Sequence, residues 1–152
     1  MLDLMSPIQL LRPPVVEFGA GTVARLAPWI AARGYVRPFV IADTVNAARL
    51  EVLEIGAVGC WGELAREPTI PDLLAAVKAA EGCDLVIGFG GGSAMDLAKL
   101  VAVMLGHDVT LADISGPHRA PARAVGLVQV PTTAGTGSEG GTRALVTDPE
   151  TL

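Results

Sequence analysis

Gly90-Gly91-Gly92-Ser93-Ala94-Met95-Asp96-Leu97-Ala98-Lys99 is the stretch on which the fold turns. Before it lies an apolar run, Asp84-Leu85-Val86-Ile87-Gly88-Phe89, which reads as a buried strand. After it, apolar residues at helical spacing run from Ser93 to Leu105, and Gly106 is placed to end a helix. Three glycines between a strand and a helix remove side chains where a backbone must approach a ligand. Ser93 is expected to cap the helix, with Asp96 three residues on completing a capping-box-like pair. The free N–H groups and the positive end of the helix dipole then suit a diphosphate. The plainer alternative is a Gly-rich turn with an ordinary cap, but three successive glycines are costly for a turn alone.

Outward from this stretch, strands and helices alternate. Val15–Phe18 is expected as a short strand, Thr22–Arg33 as a helix that Pro28 starts late or kinks, and Pro38–Asp43 as a buried strand. Residues 45–62 are expected to hold a helix over Val45–Leu53 and a strand within Leu53–Trp61. A helix opens at Ile70-Pro71-Asp72 and runs to Glu81. Two further strands are expected over Ala124–Val130 and Arg143–Thr147. Parallel neighbours need crossover connections, so this order predicts an α/β fold: a Rossmann-like, largely parallel sheet with helices on both faces. Ligands of such sheets bind beyond the carboxyl ends of the strands.

Two more segments fall at that edge. Pro131-Thr132-Thr133-Ala134-Gly135-Thr136-Gly137-Ser138-Glu139 supplies four hydroxyls and two glycines after a strand. Alone it reads equally as a solvated loop of turn formers; beside the first glycine run it reads as a second ligand loop. Gly19-Ala20-Gly21-Thr22-Val23-Ala24 fits G-x-G-x-x-[GA], and Asp43 ends the next strand. In the dinucleotide fingerprint a carboxylate so placed holds the ribose hydroxyls, and it would repel a 2′-phosphate, favouring NAD over NADP. The plainer alternative is that Gly19 and Gly21 only allow a tight turn.

The composition bounds what remains. A chain of 152 residues with 51% hydrophobic and 18% charged residues is expected to be one domain, or one compact domain with a tail, with a real core, neither disordered nor a coiled coil. The net charge of −5, with 11 scattered basic residues, argues against nucleic acid as a partner. The N-terminal MLDLMSPIQLLRPP does not read as a secretory signal, and no apolar run is long enough for a membrane span, so a cytoplasmic setting is expected. Cys60 and Cys83 form no CxxC pair and read as small buried residues in a reducing compartment. His107 and His118 have no partner at metal-ligand spacing, so no metal ligand and no catalytic residue is assigned.

The pair of long motifs, residues 90–99 and 131–139, resembles the iron-containing alcohol dehydrogenase family. Phe18-Gly19-Ala20-Gly21, Glu67-Pro68-Thr69 and Val146-Thr147-Asp148 fall where that family has similar elements. The resemblance spans nearly the whole chain. It implies an N-terminal NAD-binding domain over residues 1–152, with the diphosphate on Gly91, Gly92 and Ser93. It places Asp96 near the nicotinamide, Asp43 at the adenosine ribose, and further contacts on Thr132, Thr133, Thr136 and Ser138, with Leu145 packing nearby. Gly19–Gly21 then becomes a turn. The family's divalent metal, iron or zinc, is held by one Asp and three His in a helical C-terminal domain that residues 1–152 do not include.

Two departures from the family stand out. The connection from Asp43 to Glu67 looks shortened, and Glu67 stands where many members carry a neutral amide. The resemblance implies the cofactor-binding part of an enzyme that moves hydride between a small alcohol or aldehyde and NAD, a homo-oligomer when whole. The 152 residues alone are expected not to turn over and to associate through an exposed interdomain face. The alternatives are a non-catalytic nucleotide-binding module, truncated or half of a split enzyme, and an ordinary Rossmann domain gripping phosphate at Gly19–Ala24.

Overall fold

The computed structural model describes residues 15–150. In chain order they form α1 (Leu26–Ala32), β1 (Pro38–Asp43), α2 (Thr44–Ala47), β2 (Gly59–Leu64), α3 (Ile70–Ala79), β3 (Leu85–Gly90), α4 (Gly92–Met104), α5 (Leu111–Ile114) and β4 (Gly126–Pro131). Short 3-10 turns at Thr22–Arg25 and Leu50–Leu53 complete the list. The N-terminal segment read for a signal, residues 1–14, lies outside the described residues.

The four strands pair in the order β2-β1-β3-β4, all parallel. Side chains alternate across this sheet as a period of two requires. Val40, Ala42, Leu85, Ile87 and Phe89 face one core with Leu26, Ile30 and Leu53. Ile41 and Val86 face the other, against Leu73, Leu97 and Val101 of α3 and α4. Helices therefore cover both faces, as expected. Every residue of β3 is buried, which explains why its sequence is a near-continuous apolar run. Gly88 lets α4 lie close: a Cβ there would stand 2.9 Å from the Ala98 Cβ.

Four expectations are corrected. Val15–Phe18 is not a strand; it joins no ladder among the described residues, and the Phe18 side chain is 99% exposed. The helix expected from Thr22 begins at Leu26, which puts Pro28 in the first turn, where its missing N–H breaks no helical bond. The strand expected within Leu53–Trp61 runs instead over Gly59–Leu64. Its glycines hid it: a Cβ at Gly59 would meet the Phe39 ring at 2.7 Å, and one at Gly62 the Ala47 Cβ at 2.3 Å. Arg143–Thr147 makes one parallel bridge, Thr69 to Thr147, rather than a strand.

The start of α3 shows how local sequence sets an element. Thr69 Oγ1 accepts from the Asp72 N–H, the Asp72 carboxylate accepts from the Thr69 N–H at 2.9 Å, and Pro71 sits in the first turn. Thr69→Ala is expected to cost about 1 kcal/mol by loss of this cap. Urea unfolding would show a lower midpoint at unchanged slope; an unchanged midpoint would mean the cap adds nothing.

Candidate cofactor-binding site

Three strands end together. β1 ends in Asp43, β3 in Gly90, and β4 in Pro131, which pairs with Gly90. The Thr132 N–H donates to the Gly90 carbonyl at 2.9 Å, so the hydroxyl-rich loop leaves the sheet directly beside the glycine run. The two loops that sequence placed at one edge do meet. A Cβ on Gly91 would lie 3.3 Å from Thr133 Oγ1. One on Gly92 would lie 3.1 Å from Thr136 Cγ2 and 3.4 Å from Ser138 Oγ.

The start of α4 is open. Its N-cap is Gly91, and no side chain caps it. Ser93 is therefore not the cap, and Asp96 does not complete a capping box: the helix begins at Gly92, one residue early, which puts Ser93 inside its first turn. The first N–H groups are left for a ligand, with the helix dipole behind them. Above this turn is a cleft of about 310 Å³. Gly92, Ser93, Asp96, Thr136, Ser138 and Leu145 line it, with Glu67 and Thr147 at its wall. Leu145 is 72% exposed, an apolar side chain held at the cleft without a core partner.

Asp43, Gly91, Thr132 and Thr133 lie outside that lining but on the same edge. Asp43 caps α2, and its carboxylate takes the Asn46 N–H at 2.9 Å and the Asn46 amide at 3.0 and 2.8 Å on its two oxygens. The same Asn46 Nδ2 reaches Thr132 Oγ1 at 3.3 Å. One buried amide thus ties the end of β1 to the loop after β4. The sequence signal for Asn46 is a polar residue three positions after a strand-terminal Asp, the spacing of an N-cap partner.

Asp96 is buried within α4. Its Oδ2 accepts the Leu145 N–H at 3.1 Å, and its Oδ1 pairs with Lys99 Nζ at 2.9 Å. Lys99 also donates to the Gly141 and Arg143 carbonyls. The i,i+3 spacing of Asp96 and Lys99 is the sequence signal of their pair; the contacts to Gly141, Arg143 and Leu145, 42 to 49 residues apart in the chain, carry none.

The remaining candidates do not assemble. Gly19 and Gly21 form a tight turn into a 3-10 helix and follow no strand among the described residues, so the strand-turn-helix geometry of the G-x-G-x-x-G reading is not formed there by them. His107 Nε2 bonds the Ala122 carbonyl at 2.9 Å, and His118 is exposed. No group of three or more His, Cys, Asp or Glu that could hold a metal ion occurs among the described residues. Cys60 and Cys83 are free and half-buried rather than buried. Burial raises both thiol pKa values, and the neighbouring Asp84 charge adds to the rise at Cys83. A wider hollow of about 780 Å³, lined by Tyr35, Asp84 and Arg123, opens at the opposite edge, where the Asp84 carboxylate holds the Val36 and Arg37 N–H groups.

The sequence model of the iron-containing alcohol dehydrogenases matches residues 13–152. The chain is 38% identical over 138 residues to the probable alcohol dehydrogenase EutG of Escherichia coli, covering 84% of this chain and 35% of that protein. It is 34% identical over 148 residues to long-chain-alcohol dehydrogenase 1 of Geobacillus thermodenitrificans, covering 89% and 38%. It thus spans little more than a third of the length of these curated relatives. Among solved structures, an alcohol dehydrogenase from Oenococcus oeni superposes with a TM-score of 0.85 at 25% identity, over 95% of this chain and 41% of that one. Sulfoacetaldehyde reductase from Bifidobacterium kashiwanohense, solved in complex with NAD+, superposes at 0.83 and 26% identity, over 96% and 41%. With a family match over nearly its whole length and both motif loops at one sheet edge, the chain belongs to the iron-containing alcohol dehydrogenase family.

Proposed function

We propose that residues 1–152 are the NAD-binding domain of a metal-dependent alcohol dehydrogenase that acts on a small alcohol or aldehyde. The observation that carries this is the uncapped start of α4, with Gly91 beneath the Thr133 hydroxyl and Gly92 beneath the Thr136 methyl and the Ser138 hydroxyl. The arrangement fits a dinucleotide. A diphosphate is an anion that needs close backbone approach and N–H and O–H donors, and this edge offers all three. The NAD+ complex of the sulfoacetaldehyde reductase, on the same fold, supports the choice.

When bound, NAD would supply the hydride acceptor or donor of the reaction. The N–H groups at Gly92 and Ser93 would hold the diphosphate, joined by hydroxyls of Thr132, Thr133, Thr136 and Ser138. Asp43 would accept from the adenosine ribose hydroxyls and repel a 2′-phosphate. Asp96 would stand at the nicotinamide side, and Leu145 would pack against the cofactor. The described residues do not fit the family's iron or zinc ion, so the helical metal-binding domain this reading requires lies outside them.

No helix among the described residues is long and apolar enough to cross a membrane. The two free cysteines support a reducing, cytoplasmic setting. We further propose a homo-oligomer for the whole enzyme.

Fluorescence titration of the 152-residue chain tests the reading. NADH is expected to bind, and NADPH about tenfold more weakly or worse, because its added phosphate meets the Asp43 charge. No binding of either nucleotide would refute the domain assignment. Equal binding would remove Asp43 from the ribose.

A further inference from the structure

We propose that Lys99 is a positioning residue for the cofactor: it holds the hydroxyl loop of residues 132–145 over the glycine turn in advance of binding. This rests on the dinucleotide reading above. A lysine at the end of a glycine-rich motif is ordinarily read as a phosphate ligand. Here its ammonium is committed. It donates to two main-chain carbonyls, Gly141 O at 3.3 Å and Arg143 O, and its charge lies 2.9 Å from Asp96 Oδ1 as an ion pair without hydrogen-bond geometry. Both side chains of the ion pair are only 12% exposed.

The acceptors show what the lysine does. Two are main-chain carbonyls 42 and 44 residues away in sequence. The pair's other partner, Asp96, takes the Leu145 N–H at 3.1 Å on its second oxygen. Residues 141–145 are thus strapped to the second turn of α4 through their main chain, whatever their side chains. The strap reaches the hydroxyls. The Gly140 and Gly141 N–H groups both donate to the Gly137 carbonyl, at 3.1 and 3.0 Å, and Gly137 lies between Thr136 and Ser138. Those two side chains are the ones that stand over Gly92.

The loop needs such a strap. Gly135, Gly137, Gly140 and Gly141 fall within seven residues, and nearly all of 131–143 is exposed, so little burial orders it. Glycine-rich chain loses most entropy when fixed. Ordering it beforehand moves that cost out of the binding step. A buried ion pair by itself adds little net stability over an apolar pair. The value of this one lies in where its spare donors and acceptor go.

A double-mutant cycle in the 152-residue chain tests the role, with NADH titration, thermal melting and hydrogen exchange as readouts. Lys99→Met alone leaves Asp96 buried and unpaired and is expected to melt lower. Asp96→Asn with Lys99→Met removes that charge and is expected to recover the fold. Lys99→Met is expected to weaken NADH binding about tenfold, the worth of one or two loop hydrogen bonds. It should do so in both the wild-type and the Asp96→Asn backgrounds, and it should speed amide exchange across residues 136–145.

If the effect of Lys99→Met vanishes in the Asp96→Asn background, Lys99 only neutralises Asp96, and the proposal is overturned. Unchanged NADH affinity in a folded Lys99→Met chain overturns it as well. A wild-type chain that binds no NADH removes the dinucleotide reading itself and the positioning role with it, a result distinct from binding that survives the substitution.

Discussion

Gly90→Ala is expected to destabilise the chain by about 3 kcal/mol, from backbone strain and overpacking together. Gly90 has φ 151°, a conformation that side-chain-bearing residues rarely adopt. An added Cβ would also stand 2.5 Å from Asp43 Oδ2 and 2.9 Å from the Ala94 Cβ. Neither neighbour yields easily. The Asp43 carboxylate is pinned by three bonds from Asn46, and Ala94 is 1% exposed in the first turn of α4. Gly90 ends the most buried strand, so the strain falls where the sheet has least freedom. The melting temperature should fall by roughly 10 °C for a chain of this size. A fall of less than about 2 °C would show that the β3–α4 turn relaxes freely and is not the rigid platform described above.

Gly92→Val is expected to do the reverse: keep the fold and abolish nucleotide binding. Gly92 is the first residue of α4 and carries no positive φ, so the backbone accepts a side chain. The new Cβ would lie 3.1 Å from Thr136 Cγ2 and 3.4 Å from Ser138 Oγ, both on an exposed loop that can give by a few tenths of an ångström. Valine's two methyl groups would then occupy the cleft over the helix start. NADH affinity should drop about 100-fold or more, since a diphosphate shut out of this turn loses several charge-assisted bonds at once. The melting temperature should move by only a few degrees, about what one strained surface contact costs. Unchanged NADH affinity in the folded variant would place the diphosphate elsewhere and leave the glycine run as a mere turn. The two substitutions, two residues apart, thus separate what the glycines do for the fold from what they do for the ligand.

Much of this is legible in the chain itself. β1, β3 and β4 lie within two residues of their expected ends, because their apolar runs are flanked by charges, glycines or prolines. β2 lies away from its expected position because Gly59 and Gly62 weaken its pattern. They are glycine because of Phe39 and Ala47, residues of other elements that no local window includes. Ser93 looked like a cap because serine before an apolar run commonly is one. The helix starts one residue sooner, and only backbone geometry could show it.

By itself, the sequence determined the class of fold and the edge at which a ligand would sit. Alternation of strand and helix periods admits few topologies, and runs of glycine and hydroxyl residues after strands carry their chemistry in their composition. The tertiary structure alone decided which groups remain free to bind. Asn46 fixes the orientation of the Asp43 carboxylate at the end of β1, while Lys99 spends donors on carbonyls 42 and 44 residues away. The start of α4 keeps its N–H groups open because no side chain reaches back to them. Such partnerships depend on distances between residues far apart in the chain, and those distances exist only once the sheet has brought its strand ends together.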